Sequence, residues 1–158
     1  MRRAHRNSPR LLIKNEYGYV SDKKDDMDNK DESLICQYVK EKYNSDFVFI
    51  TNYPYSARSF YVMKDESGIT QTYDLLFKGI EITSGAQREH RYDILKHQIE
   101  EKGLNPKDLD FYLNFFKYGC PPHGGFGVGL ERILMSLLNI DNIREVSFIF
   151  RGPTRLNP

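Results

Sequence analysis

A glycine-rich run followed by a Glu-Arg pair is the part of this 158-residue chain best suited to chemistry. Four of six consecutive positions are glycine: Gly124, Gly125, Gly127 and Gly129. Glycines this dense leave the backbone bare, so a flat or bulky ligand can lie against it. An arginine at position 132 supplies a planar cation beside that surface. The pattern favours a purine ring and its phosphates, held by Gly127, Gly129 and Arg132.

Two commoner phosphate-binding patterns are excluded at this run. Position 130 is Leu, so the dinucleotide pattern GxGxxG fails, and no Gly-Lys-Ser/Thr follows, as a P-loop requires. A structural alternative stays open on the spacing alone. The glycines would then mark a tight packing point between a strand and a helix, and Arg132 would be a solvated side chain.

Asp74 and Glu81 form a second candidate, because they lie on the two sides of a predicted hairpin. Closing the turn at Lys78-Gly79 pairs Leu76 with Glu81, and Asp74 with Thr83. These four paired residues then share an open face, with the two acids about 7–8 Å apart at Cα. Two such acids suit Mg²⁺ with water and phosphate, or they are ordinary acids on a wet sheet face. The other face, predicted to join the core, carries Tyr73, Leu75, Phe77, Ile80 and Ile82.

The elements that must position these residues follow from periodicity and from turn residues. Strands are predicted at residues 46–51, 60–63, 72–77, 80–84 and 146–150. Helices are predicted at residues 32–43, 91–102, 106–117 and 128–138, and the last has an apolar stripe of leucines and one isoleucine that leaves Arg132 outside it. Asn105 before Pro106 is a typical helix start.

The N-terminal region differs in composition from the rest of the chain. Residues 1–31 are predicted to form a basic arm and a charged linker, and residues 32–158 a folded domain. The arm carries Arg2, Arg3, Arg6 and Arg10 and is either frayed or an electrostatic contact to RNA phosphates.

Overall composition excludes some classes of protein. The 23 Lys+Arg and 22 Asp+Glu residues nearly cancel, so global charge indicates no partner. No apolar run approaches the roughly 20 residues that cross a bilayer, and no signal-peptide core is present, so a cytoplasmic location without membrane contact is expected.

Several separate blocks resemble class II aminoacyl-tRNA synthetases of the aspartyl/asparaginyl branch, in its archaeal and eukaryotic form. Pro121 to Arg132 resembles motif 3 of that class, and Asp74 to Glu81 resembles its Asp-x6-Glu segment. The run Ser84-Gly85-Ala86-Gln87-Arg88-Glu89-His90-Arg91 is similar to the Ser-Gly-Gln-Arg-Glu-His-Arg run of aspartyl enzymes. Asn52 to Tyr61 and Asn142 to Val146 also resemble segments of the family.

The resemblance implies a fold and a set of roles. The fold would be α+β, a mostly antiparallel sheet flanked by helices and part of a synthetase catalytic domain. Asp74, Glu81 and Ser84 would hold the Mg²⁺ that bridges ATP phosphates. Arg88 and Ser84 would bind the substrate amino acid, Asp or Asn, and Arg132 would stack on adenine. Arg88 and Arg132 would be the catalytic pair in making an aminoacyl adenylate, with tRNA a possible further substrate.

The resemblance covers only the second half of such a catalytic domain, from about Asp46 onward. The family's motif 1, its motif 2 with the arginine for the α-phosphate, and its anticodon-binding barrel find no counterpart earlier in the chain. A homo-oligomer, or a second polypeptide supplying the missing half, is therefore expected. Two alternatives to a tRNA ligase or its fragment stay open: a truncated paralogue that activates an amino acid for tRNA-independent amide formation, and a non-catalytic binding module.

Overall fold

A five-stranded sheet is the centre of the fold in a computed structural model that describes residues 2–5, 7–23 and 25–157. Its strands lie side by side in chain order: β1 (Arg2–His5), β2 (Phe47–Thr51), β3 (Thr72–Phe77), β4 (Ile80–Gln87) and β5 (Gly124–Val128). β1 runs parallel to β2, and every other neighbouring pair is antiparallel. The predicted α+β fold with a mostly antiparallel sheet is confirmed.

Among the residues that the structure describes, six helices and two 3₁₀ turns lie between these strands or follow the last of them. The helices are α1 (Asn7–Tyr17), α2 (Asn29–Tyr43), α3 (Tyr92–Glu101), α4 (Asp110–Lys117), α5 (Leu130–Leu138) and α6 (Ile143–Val146), and the turns are Tyr55–Ala57 and Pro106–Leu109. α2 begins where the Asp28 side chain accepts hydrogen bonds from the N–H groups of Lys30 and Asp31, and the Asp31 carboxylate accepts one from the backbone N–H of Asp28. In the described part of the chain, no helix is long and apolar enough to cross a membrane.

The core has two parts. One face of the sheet, with Val48, Ile50 and Leu76, packs against α1 and α2. The second part joins α3 to α4, where Leu95, Ile99, Leu113 and Phe116 are all buried. Burying each such side chain contributes about 1.5–3 kcal/mol to stability. Both parts of the core can therefore hold in place the strands and loops that pack against them.

The first 31 residues are more structured than an arm and linker, so that prediction needs correction. They contain β1 and α1, and Ile13 and Met27 are 0% and 4% exposed. Ile13, the last residue of the short apolar run Leu11 to Ile13, is a side chain that α1 buries in the core. Arg10 donates to the carbonyl oxygen of Lys23, while Arg6 and the side chains of Arg2 and Arg3 lie outside the described residues.

Two predicted strands do not form. Residues 60–63 contribute only an isolated bridge between Val62 and Arg88, and the segment predicted as a closing strand overlaps the end of α6. The stripe on α5 is less buried than its period suggests, because Leu130, Leu137 and Leu138 are each more than half exposed. Arg132 is exposed, outside that stripe, as predicted.

A bulge changes the predicted register of the β3–β4 hairpin. Leu76 pairs with Glu81 as predicted, but the register shifts between Leu75 and Leu76, so Asp74 pairs with Ser84 instead of Thr83. The extra residue in β4 puts Ser84 on the face that carries Asp74 and Glu81, and turns Thr83 away. This face was predicted to be open, yet Asp74 and Leu76 are only 3% and 1% exposed. The reason is that α1 and α2 pack on this face of the sheet.

Candidate functional site

Two adjoining cavities open on the face of the sheet that carries Asp74. The larger cavity, about 650 Å³, is lined among others by Glu32 of α2, Glu81 of β4 and Arg132 of α5. The smaller cavity, about 360 Å³, is lined among others by Ser84 and Arg88. Arg58 lines both cavities, so they meet at its side chain.

Arg132 forms part of the wall of the larger cavity. Its Nη1 donates to the carbonyl oxygen of Glu81 at 2.8 Å and lies 3.7 Å from Glu81 Oε1. A Cβ at Gly129 would come within 3.2 Å of Arg132 Cδ. Gly129 is outside the lining of both cavities, and its glycine leaves room for the Arg132 side chain to lie along the start of α5.

Two carboxyl groups in the larger cavity have raised pKa values. Burial, then the charge of Glu81, raises the pKa of Glu32 to about 7. Burial, then the charge of Asp74, raises the pKa of Glu81. The backbone N–H of Glu81 also donates to the Glu32 carboxylate, so α2 and β4 bring the two acids together.

Asp74 lies beneath the cavities in a buried ion pair. Arg58 Nη2 donates to Asp74 Oδ2 at 2.5 Å, and the Arg58 guanidinium carbon lies 3.6 Å from the centre of the Tyr53 ring. Burial, then the charge of Asp74, raises the pKa of Tyr53. Asp74 Oδ1 is buried without a hydrogen-bond partner, and such an orphaned oxygen costs about 1–3 kcal/mol.

The three predicted metal ligands fit a Mg²⁺ ion that takes few of its ligands from the protein. Asp74, Glu81 and Ser84 share one face of the hairpin, and the orphaned Asp74 oxygen and the raised pKa of Glu81 are features that a cation would relieve. The described residues contain no group of three or more His, Cys, Asp or Glu placed to hold a metal. Oxygen atoms of water or phosphate would complete the coordination.

Arg88 is fixed by contacts on two sides in the smaller cavity. Its guanidinium carbon lies 4.2 Å from the centre of the Tyr61 ring, and a Cβ at Gly125 would come within 3.4 Å of Arg88 Nη2. Its backbone N–H donates to the carbonyl oxygen of His123 at 2.9 Å. Hydrogen bonds with Ser59 and then Arg88 lower the pKa of Tyr61. These contacts restrict the position of the guanidinium.

Gly127 and Ser84 belong to the smaller cavity. They pair across β4 and β5 and both line it, and a Cβ on Gly127 would meet nothing within 4 Å. Gly127 was predicted to bind the nucleotide with Gly129, but its place in this fold is beside Ser84 and Arg88. The predicted site residues are therefore divided between two cavities.

Three residues that line the cavities were not predicted from the sequence: Glu32, Arg58 and Tyr61. Arg58 and Tyr61 belong to the Tyr-Pro-x-x-x-Arg segment whose family resemblance could have indicated them. Glu32 gave no signal, because it lies in a charged stretch and reaches the site only through the packing of α2 on the sheet.

Comparison with known proteins gives consistent results. The family described as class II tRNA synthetases (D, K and N) matches residues 3–150. Aspartate–tRNA(Asp) ligase of Pyrococcus furiosus is 51% identical over 136 residues, which are 85% of this chain and 31% of that protein.

Solved structures of the family superpose closely on this fold. Aspartyl-tRNA synthetase from Entamoeba histolytica superposes with a TM-score of 0.92 at 38% identity, over 99% of this chain and 32% of that one. Asparaginyl-tRNA synthetase from Pyrococcus horikoshii, complexed with asparaginyl-adenylate, gives a TM-score of 0.84 at 32% identity, over 99% and 36%. The chain thus spans about a third of these relatives' length. It belongs to the class II tRNA synthetases of the aspartate, lysine and asparagine group.

Proposed function

We propose that the chain binds Mg-ATP in the larger cavity and aspartate in the smaller one, for the formation of aspartyl adenylate. The observation that carries this proposal is the contiguity of the two cavities at Arg58. Two ligands that fill them would meet beside a buried guanidinium. The relatives with aspartate or asparagine in their names support the amino-acid class.

Nucleotide binding would use the residues of α5 and β4. Arg132 would leave the Glu81 carbonyl and stack on the adenine ring, a contact worth about 0.5–2 kcal/mol. Asp74, Glu81 and Ser84 would hold Mg²⁺, which when bound neutralises phosphate charge and orients the triphosphate. Asp74 already carries a buried negative charge held by Arg58.

The smaller cavity would select aspartate over asparagine. Its lining residues in the described part of the chain include two guanidinium groups, Arg58 and Arg88, and no Asp or Glu. A planar guanidinium binds a carboxylate through two charge-assisted hydrogen bonds. A neutral amide offers one acceptor oxygen and an NH₂ group that would face the cations.

The reaction joins the two ligands. An oxygen of the aspartate α-carboxylate attacks the α-phosphorus of ATP, a new P–O bond forms, and the bond to the β-phosphate oxygen breaks to release pyrophosphate. Negative charge builds on the α-phosphate oxygens in the transition state. Fixed cations near that point, of which Arg58 is nearest to both cavities, would stabilise this charge.

Further partners of the proposed ligase follow from the relatives. tRNA is a substrate named for them, and we propose it for any assembly that completes this chain. A second copy or another polypeptide would cover apolar side chains such as Phe126, Leu130 and Leu138, which are each 60% exposed or more. We place this activity in the cytoplasm, where translation substrates are made.

Amino-acid-dependent ATP–pyrophosphate exchange tests the proposal. The full chain is assayed with Mg²⁺ and each of the twenty amino acids in turn, beside Arg88→Ala. Exchange that needs aspartate and is lost in Arg88→Ala is the expected result. Exchange with an unrelated amino acid would contradict the assignment of the smaller cavity. Absence of exchange from a folded chain that binds both ligands would reduce its role to binding and favour the non-catalytic module.

A further inference from the structure

α3 contributes no side chain to either cavity, yet it carries a fully buried glutamine. Gln98 is 0% exposed. Its Nε2 donates to the carbonyl oxygens of Phe60 at 2.5 Å and Val62 at 3.0 Å. Both neighbours are acceptors, so the amide nitrogen must face them and the orientation of the side chain is fixed.

These two carbonyl groups stand on either side of Tyr61, so the backbone of that residue is held from both directions. The carbonyl oxygen of Tyr61 itself accepts from the N–H of Glu89 at 2.9 Å. Glu89 is in turn 0% exposed, and its carboxylate accepts from Arg91 Nε and Nη2, both at 2.8 Å. Water does not easily replace these buried hydrogen bonds. They therefore hold the backbone of Tyr61 in one position.

The ring of Tyr61 supports Arg88, the cation of the smaller cavity. The guanidinium carbon of Arg88 lies 4.2 Å from the ring centre, and Gly125 leaves space on the other side. A displacement of the ring would therefore displace the guanidinium. Gln98 is thus connected to Arg88 through Tyr61 without contacting the cavity.

The same helix anchors the segment that carries Arg58. The Tyr55 hydroxyl donates to the carbonyl oxygen of Gln98 at 3.2 Å, and Lys102 Nζ donates to the carbonyl oxygen of Tyr55 at 2.7 Å. α3 and Lys102, the residue that follows it, therefore hold residues 55–62 at both ends.

The buried amide of Gln98 indicates that this residue positions its neighbours and does not only fill space in the core. Gln98 Oε1 is buried without a hydrogen-bond partner, and a buried unpaired oxygen is destabilising. Leu or Met would fill a similar volume with no such cost. What an apolar residue lacks is the amide nitrogen that holds two carbonyl groups at once.

We propose that Gln98 is a positioning residue for the smaller cavity: it fixes Tyr61, and through it Arg88, and so sets the affinity for aspartate. This inference rests on the proposed function for its ligand. Its effect is selective, because Tyr61 and Arg88 line only the smaller cavity. Arg58 lines both cavities, but its segment is held by the backbone carbonyl of Gln98 and by Lys102, which a change of the Gln98 side chain leaves in place.

Gln98→Met tests the proposal in the full chain, because it keeps the approximate volume and removes both donors. Calorimetric titration is expected to show a dissociation constant for aspartate about 10- to 100-fold higher than in the unchanged chain, with that for Mg-ATP unchanged. Ile99→Val, also fully buried on α3, is the matched control: it should lower stability and leave aspartate binding intact. Equal aspartate affinity in Gln98→Met, or equal losses for both ligands, would overturn the proposal.

A second readout needs no ligand. The pKa of Tyr61 is lowered by hydrogen bonds with Ser59 and Arg88, so Gln98→Met should raise it toward its usual value when the phenol is titrated by NMR. An unmoved Tyr61 pKa would overturn the inference. If the unchanged chain binds no aspartate but this shift appears, the proposed function fails while the positioning of Tyr61 by Gln98 stands. Gln98→Asn, which keeps the donors but is too short to bridge both carbonyls, replaces Gln98→Met if that variant does not fold, with the same shift expected.

Discussion

Arg88 combines charge with a planar group, and a planar cation suits a carboxylate. Its guanidinium carbon lies 4.2 Å from the centre of the Tyr61 ring, and Gly125 leaves room for Arg88 Nη2. Lysine would keep the charge but would lose the planar contact with the ring and the paired donors. The proposed recognition of aspartate therefore depends on arginine in particular.

Arg88→Lys is expected to weaken aspartate binding by about tenfold or more, since loss of stacking and of one donor removes about 1–3 kcal/mol. Mg-ATP binding should not change. Calorimetric titration of both ligands checks this, with Arg155→Lys in the exposed C-terminal segment as the matched control. Equal affinities for aspartate in all three proteins would contradict the role of Arg88.

Glu32 gives the site a dependence on pH. Its pKa is about 7 in the folded chain, against an ordinary value of 4.5. The folded chain binds this proton more tightly than the unfolded chain, so the stabilisation is fully present below a pH of about 4.5 and is lost as pH rises through about 7.

Glu32→Gln should therefore gain stability relative to the unchanged chain as pH rises through that window, by about 1–2 kcal/mol once solvent screening of this partly exposed group is allowed for. Urea unfolding of both proteins at several pH values, with a chelator present, measures the difference. A difference in unfolding free energy that does not vary with pH would show that Glu32 is not in the environment described.

Residue types together with the family resemblance indicated several charged groups of the site but not their pairing. Arg132 and Glu81 were candidates from their types and spacing, whereas Arg88 was indicated only by the resemblance. The Arg58–Asp74 ion pair joins residues 16 positions apart through a loop without regular strands, and Glu32 comes from another helix. Such pairings depend on tertiary packing, which no local pattern contains.

At the scale of elements, glycines serve two different purposes in neighbouring strands. A Cβ on Gly85 would come within 2.5 Å of the Tyr73 ring, so this glycine allows a ring to cover β4 on the face opposite Asp74, although Gly85 also lines the smaller cavity. Gly127 meets nothing within 4 Å and lines the smaller cavity. One glycine is therefore needed for packing, and the other leaves space for a ligand.

Alanine at these two positions should separate stability from binding. Gly85→Ala is expected to lower the free energy of unfolding by about 1–3 kcal/mol, because Tyr73 must move. Gly127→Ala should leave stability nearly unchanged and weaken aspartate binding. Urea unfolding and calorimetry on both variants provide the comparison. A Gly127→Ala chain that is strongly destabilised, yet binds aspartate normally, would contradict the placement of the cavity.

Elements with strong local signals could be predicted, and those set by long-range packing could not. Strand β3 and helices α2 and α3 lie close to their predicted bounds, because period, caps and turn residues agree there. The bulge in β4 was missed, since one extra residue leaves no local signal, and it decides which hydroxyl lies beside Asp74. Residues 60–63 look like a strand, but the side chain of Gln98 takes two of their carbonyl groups.

At the scale of the whole molecule, this chain places two adjoining cavities on about a third of a synthetase's length. Residues of the sheet, of α2, α5 and α6 and of the segments between elements line them. Its formal net charge is +1, so attraction of anionic ligands must come from the local arginines. The proposed binding of both ligands can therefore be tested on the chain itself.

The most direct test of this account is the binding of a non-hydrolysable aspartyl-adenylate analogue, measured by calorimetry on the full chain. The analogue spans both cavities, so it should bind more tightly than aspartate or ATP, compete with each, and lose affinity in both Arg88→Ala and Arg132→Ala but not in Arg155→Ala. An analogue that does not bind, or that competes with only one of the two ligands, would contradict the claim that the two cavities form one site.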